Sequence, residues 1–253
     1  MHALGGPTAI LEIGGLRILT DPTFDAPREY VMAPDRILAK TAPTALRPGE
    51  VGPVDAVLLS HDQHKDNLDE AGRAYLVEAA LVLTTASATE RLAGPCVTVP
   101  LWEHVDLPRP DGGSLRVTRV PALHGPEGSE HIVGEVAGFV LSGEGLPTVY
   151  VSGDNAALRL VQEVADRLGP IDVALLFAGA ARTPLVDGFL TLTSVEVVEA
   201  AKILVGAHIV PLHLDSWRHF TEGGDDLRAA FAEAGMSERM TLLTPGEKTF
   251  VKV

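Results

Sequence analysis

The sequence predicts an α/β fold in one domain that spans residues 1–253. Near-continuous apolar runs at 54–60 and 171–177 have the pattern of strands buried on both faces. Between them, residues 156–168 have the amphipathic pattern of a helix, and Gly169-Pro170 follows as a stop signal. A chain of this length can bury a substantial core, and it fits one large domain better than two small ones.

The elements predicted in the N-terminal half start with a hairpin, in which apolar runs at 8–13 and 16–20 flank a Gly-Gly turn. A proline-rich connection without clear periodicity then runs to Pro53. Its Phe24, Tyr30 and Met32 either line a pocket or anchor an ordered surface loop. The segments that follow are a strand at 54–60, a helix from 67 or 69 to 80, a strand at 81–84, a short helix opened by a capping box at Ser87–Glu90 and ended by Gly94, and a strand at 115–120.

The C-terminal half continues the alternation of strands and helices. Strands are predicted at 138–141, 148–152, 171–177 and 208–213, with two more short strands within 239–252. Besides the helix at 156–168, a capping box at Thr193–Glu196 opens a helix that ends near Gly206, and a surface helix covers 225–234.

Composition narrows the classes of partner. The formal net charge of −14 opposes binding to phosphate backbones and to anionic membrane surfaces, so we expect neither nucleic acid nor membrane as a partner. No apolar run approaches the roughly 20 residues that a membrane span needs. A single cysteine, Cys96, fits a reducing compartment, and no signal peptide is recognisable at the start of the chain. We therefore expect a cytoplasmic protein that acts on a small molecule.

The most informative stretch is the buried strand at 54–60 and the polar residues directly after it. His61, His64, Asp62 and Asp66 follow the strand within a few residues, before a helix begins. Neutral imidazole and carboxylate are the usual ligands of zinc, manganese or iron in proteins. Such a dense set of imidazoles and carboxylates at the end of a buried strand is hard to satisfy without a cation, so the stretch predicts a metal site.

Four other strands also end in an acid or an imidazole. Asp21, His124, Asp154 and His213 each lie within two residues of the end of a strand-like run, at 16–20, 117–122, 149–152 and 208–212 respectively. Each residue alone is more often a turn former, a helix cap or a hydrogen-bonded rim residue than a metal ligand. Because the carboxyl ends of strands in α/β proteins deliver distant residues to one place, the joint pattern favours a shared site.

These motifs resemble those of the metallo-β-lactamase superfamily. The ordered set is Thr-Asp-Pro, Ser-His-x-x-His-x-Asp-Asn, a later strand-end histidine, Ser-Gly-Asp and Pro-Leu-His, and it runs from about residue 6 to about residue 220. The branch it resembles most contains ascorbate-phosphate lactonase and N-acyl-phosphatidylethanolamine phospholipase D. The resemblance implies a four-layer αβ/βα sandwich with one or two metal ions at the sheet edges.

The resemblance also implies a ligand set. One metal ion would be held by His61, His64 and His124, and a second by Asp66 and His213, with Asp154 bridging the two ions. Asp66 and Asp154 would also serve catalysis. Asp21 and Asn67 would lie behind the ligands and orient them, a role whose loss typically costs about 10–100-fold in affinity or activity.

Two departures from the usual His-x-His-x-Asp-His motif matter. Either His64 takes the place of the second histidine after a one-residue insertion, or Gln63 takes that place and His64 is displaced. We prefer His64, because His64-x-Asp66 keeps the second half of the motif. Asn67 stands where the last histidine belongs, so the second metal site is weakened and a single-metal enzyme is a credible alternative.

The function predicted from these residues is a metal-dependent hydrolase. A metal-bound water with a pKa lowered to about 7 would attack a carbonyl or phosphoryl centre of a small metabolite. Zinc is the first candidate, with manganese or iron as alternatives, and His131 and His219 either contact the substrate or lie at the rim without a role. Alternative functions are an iron-dependent oxidoreductase and a metal-binding or sensing module without turnover. The chain could also form a homo-oligomer, as relatives in this branch do.

Overall fold

A computed structural model describes residues 1–251, which form two six-stranded mixed sheets, one two-stranded sheet and flanking helices. The strands are β1 (His2–Gly5), β2 (Thr8–Ile13), β3 (Leu16–Thr20), β4 (Arg28–Ala33), β5 (Arg36–Lys40), β6 (Ala56–Leu58), β7 (Val82–Thr84), β8 (Cys96–Thr98), β9 (His104–Pro108), β10 (Ser114–Ala122), β11 (Val136–Ser142), β12 (Val149–Val151), β13 (Val173–Phe177) and β14 (His208–Leu212). The helices are α1 (Pro48–Val51), α2 (Glu70–Glu78), α3 (Ala86–Thr89), α4 (Glu130–Val133), α5 (Leu158–Leu168), α6 (Ser194–Ile203) and α7 (Gly224–Glu233), with a 3₁₀ turn at Ser237–Arg239.

The strand directions explain why one edge of the molecule collects the strand-end residues. The first sheet has the order β1-β2-β3-β6-β7-β8, and β3, β6, β7 and β8 run parallel. The second sheet has the order β14-β13-β12-β11-β10-β9, with β12, β13 and β14 parallel. Because β11 is antiparallel to both β10 and β12, β10 points the same way as β12. The carboxyl ends of β10, β12, β13 and β14 therefore lie at one edge.

Alternating side chains of each strand place the core in three layers. Leu58 of the first sheet packs with Phe177 and other residues of the second sheet in the core between the sheets. The neighbouring Val57 faces outward and packs with Leu76 of α2. On the other side, Leu176 packs outward among residues of α5, α6 and α7. Two sheets face to face with helices outside form the four-layer αβ/βα sandwich, which confirms the predicted fold class.

Capping residues mark where three of the helices begin. Asp69 caps α2 by accepting a hydrogen bond from the amide of Gly72 at 2.8 Å. The predicted capping box of Thr193 and Glu196 is present at the start of α6. The capping box predicted at Ser87 is wrong: Thr85 caps α3, which therefore starts two residues earlier than expected and ends at Thr89.

The largest differences from the predicted elements lie in edge strands and in the proline-rich connection. This connection contains the hairpin β4–β5, which has its own two-stranded sheet. Strands β1, β8 and β9 lie at or near sheet edges and were not predicted. The two strands predicted within 239–252 are wrong for the part that the structure describes, where residues 239–251 contribute only isolated bridges such as Met240 with Ile209. Residue 252 lies outside the described residues.

Within residues 1–251, none of the helices has both the length and the apolar character that a membrane crossing requires.

Candidate metal centre

The two large sheets meet closely at the edge where the candidate ligands lie. The amide of Ala137 donates a hydrogen bond to the carbonyl of Ser60 at 2.9 Å, directly before His61. The amide of His213 donates to the carbonyl of Gly6 at 2.9 Å, which connects the end of β14 to the first sheet. These backbone contacts bring strand ends of both sheets together, as the sequence pattern predicted.

A first cluster consists of three histidines and one aspartate. Nε2 of His61 lies 3.0 Å from Nδ1 of His64, and Nε2 of His124 lies 3.1 Å from that same atom. Oδ2 of Asp154 lies 3.5 Å from Nε2 of His124 and 4.0 Å from Nε2 of His61. A tetrahedral zinc ion with Zn–N distances of about 2.0–2.1 Å places its donors about 3.3–3.4 Å apart. The four donor atoms thus converge as ligands of one ion do.

A second cluster shares Asp154 with the first. Nε2 of His213 lies 3.4 Å from Oδ1 of Asp154 and 3.3 Å from Oδ2 of Asp66. Asp154 therefore directs one carboxylate oxygen to each cluster, which is the arrangement expected of a bridging carboxylate. Both clusters are compact enough to hold a cation.

Supporting contacts orient the imidazoles. Nδ1 of His124 lies 2.8 Å from the carbonyl oxygen of Leu190, a pure acceptor, so Nδ1 carries the proton and Nε2 is free to ligate. Nδ1 of His61 lies 2.9 Å from Oγ of Ser60, and the amide of Ser60 donates to Oδ1 of Asp21 at 2.6 Å. Asp21 thus acts on His61 through Ser60, and within the described residues it forms no hydrogen bond with a candidate ligand.

The ionisation states suit a cation. Burial lowers the pKa of His61 well below its usual value and that of His64 to about 4, so both imidazoles are neutral at neutral pH. Burial alone would raise the pKa of Asp154 and Asp66, but their neighbouring histidines outweigh it and hold both carboxyls ionised. Neutral imidazoles beside ionised carboxylates are the forms that bind metal ions.

His213 carries the compensating charge between the two carboxylates. Burial would lower its pKa, but the charges of Asp154 and Asp66 outweigh burial and raise the pKa to about 10. The side chains of His213 and Asp154 are fully buried. Two buried carboxylates therefore demand positive charge at this point, and a bound cation would supply more of it than one proton does.

Unpaired polar atoms give an independent test of whether a metal ion fits. Within the described part of the chain, Oδ2 of Asp154, both ring nitrogens of His213 and Oδ1 of Asn67 are buried without a hydrogen-bond partner. Buried polar atoms are usually paired, and unpaired ones indicate a missing ion or water. Because these orphaned atoms belong to the same converging side chains, the residues present fit a bound metal ion.

The backbone is constrained at Gly153, next to Asp154, and at His213. Gly153, directly before Asp154, has a φ of 58°, and a Cβ there would lie 2.4 Å from the carbonyl oxygen of Ala137. His213 itself adopts a φ of 57°, a conformation that costs a non-glycine residue roughly 1–3 kcal/mol. Its ring packs against Phe177 and Phe220, which hold it in that position.

The structure separates the two candidates for the second histidine position. His64 lies in the first cluster, whereas the side-chain amide of Gln63 lies next to Gly134, where an added Cβ would be 2.4 Å from Nε2 of Gln63. Nδ2 of Asn67 donates a hydrogen bond to Oδ1 of Asp154 at 3.1 Å. Asn67 thus lies beside the carboxylate that the two clusters share.

His131 and His219, which the sequence offered as possible substrate contacts, differ in their position relative to the clusters. Nε2 of His219 lies 3.0 Å from Oδ2 of Asp66, and His219 also lines the cavity above the clusters. His131 is exposed, its Nδ1 lies 2.9 Å from the carbonyl oxygen of Gly128, and it does not line that cavity. A role for His131 in substrate binding remains a prediction without a contact that supports it.

A cavity of about 280 Å³ opens over the two clusters. His64, Asp66, His124 and His219 form its floor, while the hairpin β4–β5, helix α4 and the segment 182–190 form its walls. Met32 is one of the lining residues, as the sequence allowed, whereas Phe24 and Tyr30 are buried anchors. Sequence reasoning missed the other walls, because their residues carry no motif. Apolar residues of the hairpin such as Ile37 gave no usable signal, because they follow no clear periodicity in the sequence.

Comparison with known proteins agrees with this geometry. Residues 16–214 match the beta-lactamase superfamily domain. The chain belongs to the beta-lactamase superfamily. A UPF0173 metal-dependent hydrolase of Pelotomaculum thermopropionicum is 30% identical over 214 residues, which are 81% of this chain and 86% of the relative. One of Pyrococcus furiosus is 24% identical over 214 residues, which are 84% of this chain and 88% of the relative.

A solved structure is similar over almost the whole length of this superfamily member. The isothiocyanate hydrolase from Delia radicum gut bacteria superimposes with a TM-score of 0.84 at 20% identity and covers 98% of both chains. At that identity the likeness shows the fold. Together with the names of the relatives, it confirms the predicted superfamily and the predicted class of metal-dependent hydrolase. The finer assignment to the branch of ascorbate-phosphate lactonase stays a prediction.

Proposed function

We propose that this superfamily member binds one or two divalent metal ions, with zinc as the first candidate, and hydrolyses a carbonyl or phosphoryl bond of a small metabolite. The observation that carries the proposal is the set of converging, partly unpaired donor atoms at the floor of a cavity. A bound divalent ion supplies Lewis acidity and lowers the pKa of a coordinated water to about 7. His61, His64, His124, Asp66, Asp154 and His213 would hold the metal.

Asp66 is placed to orient the attacking water and to accept its proton. It is ionised, it lines the cavity, and Oδ2 contacts both His213 and His219. These two imidazoles fix the direction of the carboxylate. A carboxylate held in this way at the base of a cavity is positioned for general-base work.

His219 is placed to return the proton to the leaving group. It contacts Asp66 through Nε2 and is 19% exposed at the cavity, so its ring connects the carboxylate with the substrate space. Proton transfer through a positioned imidazole typically contributes about 10²–10⁴-fold to a rate. His219 is not among the proposed metal ligands, so metal content and rate measured together test its role apart from metal binding.

The substrate is a small molecule on two grounds. A cavity of about 280 Å³ lies just below the range of roughly 300–1,000 Å³ that is typical of small-molecule sites. The net charge of −14 opposes the approach of nucleic acids and of anionic membrane surfaces, which supports a small metabolite as the substrate.

The proposal is tested by metal content and activity together. The chain is purified without added metal, and its metal is measured by elemental analysis for the wild type and for Asp154→Ala. Metal-free protein is then reconstituted with zinc, manganese or iron and assayed on lactones, esters, amides and phosphodiesters. We expect one to two equivalents of zinc or manganese, a lower content in the variant, and hydrolysis of at least one class.

Other outcomes refute the proposal in distinct ways. About one iron per chain together with visible colour would favour the oxidoreductase alternative, since imidazole and carboxylate also suit iron. Tight metal binding without hydrolysis of any class would favour the sensing module. No metal after reconstitution would contradict the assignment of the ligands themselves.

A further inference from the structure

The mouth of the cavity has a charge opposite to that of the protein. The chain has a net charge of −14, yet Arg36 and Arg182 line the cavity. Arg36 belongs to β5 and is half-buried, and Arg182 lies in the exposed segment after β13. Neither guanidinium forms an ion pair or a hydrogen bond with another described residue, and that of Arg182 lies over the ring of Phe189, at 5.1 Å from its centroid.

This lack of partners distinguishes the two arginines from all others. Arg239 donates to the backbone carbonyls of Leu204 and Ala207. Every remaining arginine forms an ion pair with an acidic side chain. The arginines without a partner in residues 1–251 therefore both lie at the cavity, although acidic residues outnumber basic ones on this chain by 34 to 20.

Apart from the floor and these two arginines, the residues that line the cavity are apolar except for Thr183. Leu38, Val133 and Leu190 line the inner part. Ile37, Ile132 and Leu185 line the outer part and are 54%, 42% and 52% exposed. The acid that lines the cavity is Asp66, which is engaged with His213 and His219 on the floor. A ligand in this space meets a polar floor, apolar walls and a cationic mouth.

From this arrangement, and resting on the proposed hydrolytic function, we propose that the substrate is a small molecule with an apolar body and a terminal anionic group. Arg36 and Arg182 bind the anionic group, while the bond that is cleaved lies over the metal clusters. A guanidinium matches both a carboxylate and a phosphate through paired hydrogen bonds. The two cations also offset the repulsion that an anion meets on approach to an acidic protein.

Matched substrates test this inference. Phenyl hexanoate is compared with the same ester bearing a terminal carboxylate or a terminal phosphate, and released phenol is measured for the metal-loaded enzyme. The variants are Arg36→Gln, Arg182→Gln and the double variant. Arg228→Gln is the control, because Arg228 lies on α7, pairs with Asp225 and does not line the cavity.

We expect the wild type to prefer an anionic ester over the neutral one by about tenfold in kcat/KM, as a pair of partly exposed charge contacts allows. Each single variant should lose part of this preference, and the double variant should lose all of it through KM, with the neutral ester unchanged. The control should behave as the wild type. A preference for the phosphate ester alone would identify phosphate as the anionic group.

A binding measurement keeps the inference separate from the hydrolytic proposal. Hexanoate and hexanamide are titrated into metal-free protein by calorimetry. Arginine-dependent binding of hexanoate, without hydrolysis of any lactone, ester, amide or phosphodiester by the metal-loaded protein, would support the anion site and refute the hydrolase. Equal hydrolysis of the neutral and anionic esters by wild type and double variant would refute the anion site and leave the hydrolase. Absence of arginine-dependent binding together with absence of hydrolysis would refute both.

Discussion

A carboxylate introduced at position 67 would test the electrostatics of the two clusters. Nδ2 of Asn67 donates to Oδ1 of Asp154 at 3.1 Å, and both side chains are fully buried. Asn67→Asp keeps the size of the side chain but puts a second acid at that distance. Two unit charges 3.1 Å apart repel each other by about 5 kcal/mol at an effective dielectric constant of about 20.

This repulsion exceeds the free energy of protonating one of the acids at pH 7. Taking an ordinary aspartate pKa of about 3.9 and about 1.36 kcal/mol per pH unit, protonation at pH 7 costs about 4 kcal/mol. The introduced acid therefore takes up a proton when the metal-free chain folds, and its folded pKa lies above its unfolded pKa. The free energy of unfolding of the variant therefore falls below that of the wild type as pH rises. The difference is about 1 kcal/mol at pH 4.5 and about 4 kcal/mol at pH 7.

Urea unfolding of chelator-treated protein at both pH values measures this difference. The matched control is Gln162→Glu, because Nε2 of Gln162 donates to Oδ1 of Asp166 at 2.8 Å on the exposed face of α5. The same exchange of amide for acid in solvent should cost only about 0.2–0.5 kcal/mol. Added zinc should reduce the loss in the variant, since a cation interacts favourably with both acids. A loss that is the same at both pH values would refute the reasoning.

Three further predictions concern single residues. Asp154→Ala should lower the metal content measured by elemental analysis, because this carboxylate contacts both clusters. His219→Gln should lower kcat by roughly 10²-fold while elemental analysis shows an unchanged metal content, since its proposed role is proton transfer; a loss of metal would contradict it. Gly153→Ala should destabilise the protein by more than about 2 kcal/mol in urea unfolding, because its Cβ would meet the carbonyl of Ala137 at 2.4 Å. Gly206→Ala is its control, with a φ of 87° and no neighbour within 4 Å.

The site was predictable because its residues follow buried strands. An apolar run such as 54–60 has one stable location, inside a sheet, so the polar residues after it must lie at the end of that sheet. The relative directions of the strands then decide which ends meet. The pattern could not show that His64, rather than Gln63, enters the first cluster, because a one-residue insertion leaves both choices open until the turn is built.

The cavity walls were not predictable for a physical reason. Strands β4 and β5 form their own two-stranded sheet, to which Trp217 adds an isolated bridge at Lys40. Several of their side chains, including Val31 and Ile37, are exposed, so they lack the alternation that a half-buried strand shows. The short strand β8 and strand β9 lie at sheet edges, where one face or one side remains without a partner. Their pairing depends on neighbours distant in sequence, which local patterns do not contain.

One buried carboxylate connects this unpredicted hairpin to the predicted ligands. Asp69 caps α2, which begins directly after the metal-ligand turn at 61–67. Its carboxylate also accepts hydrogen bonds from the amides of Phe24 and Asp25 and from Nζ of Lys40, at 2.8, 2.7 and 2.9 Å respectively. Lys40 ends β5 and is 3% exposed.

Asp69 and Lys40 form a buried ion pair. Removing the charge of either residue would leave the other charge buried and uncompensated, at a cost of about 3–5 kcal/mol. The hairpin wall and the ligand turn are therefore fixed to each other through Asp69. This contact explains how a hairpin that joins neither large sheet can hold Arg36 at a defined place over the metal clusters. The cavity walls and the candidate ligands at its floor are thereby positioned as one unit.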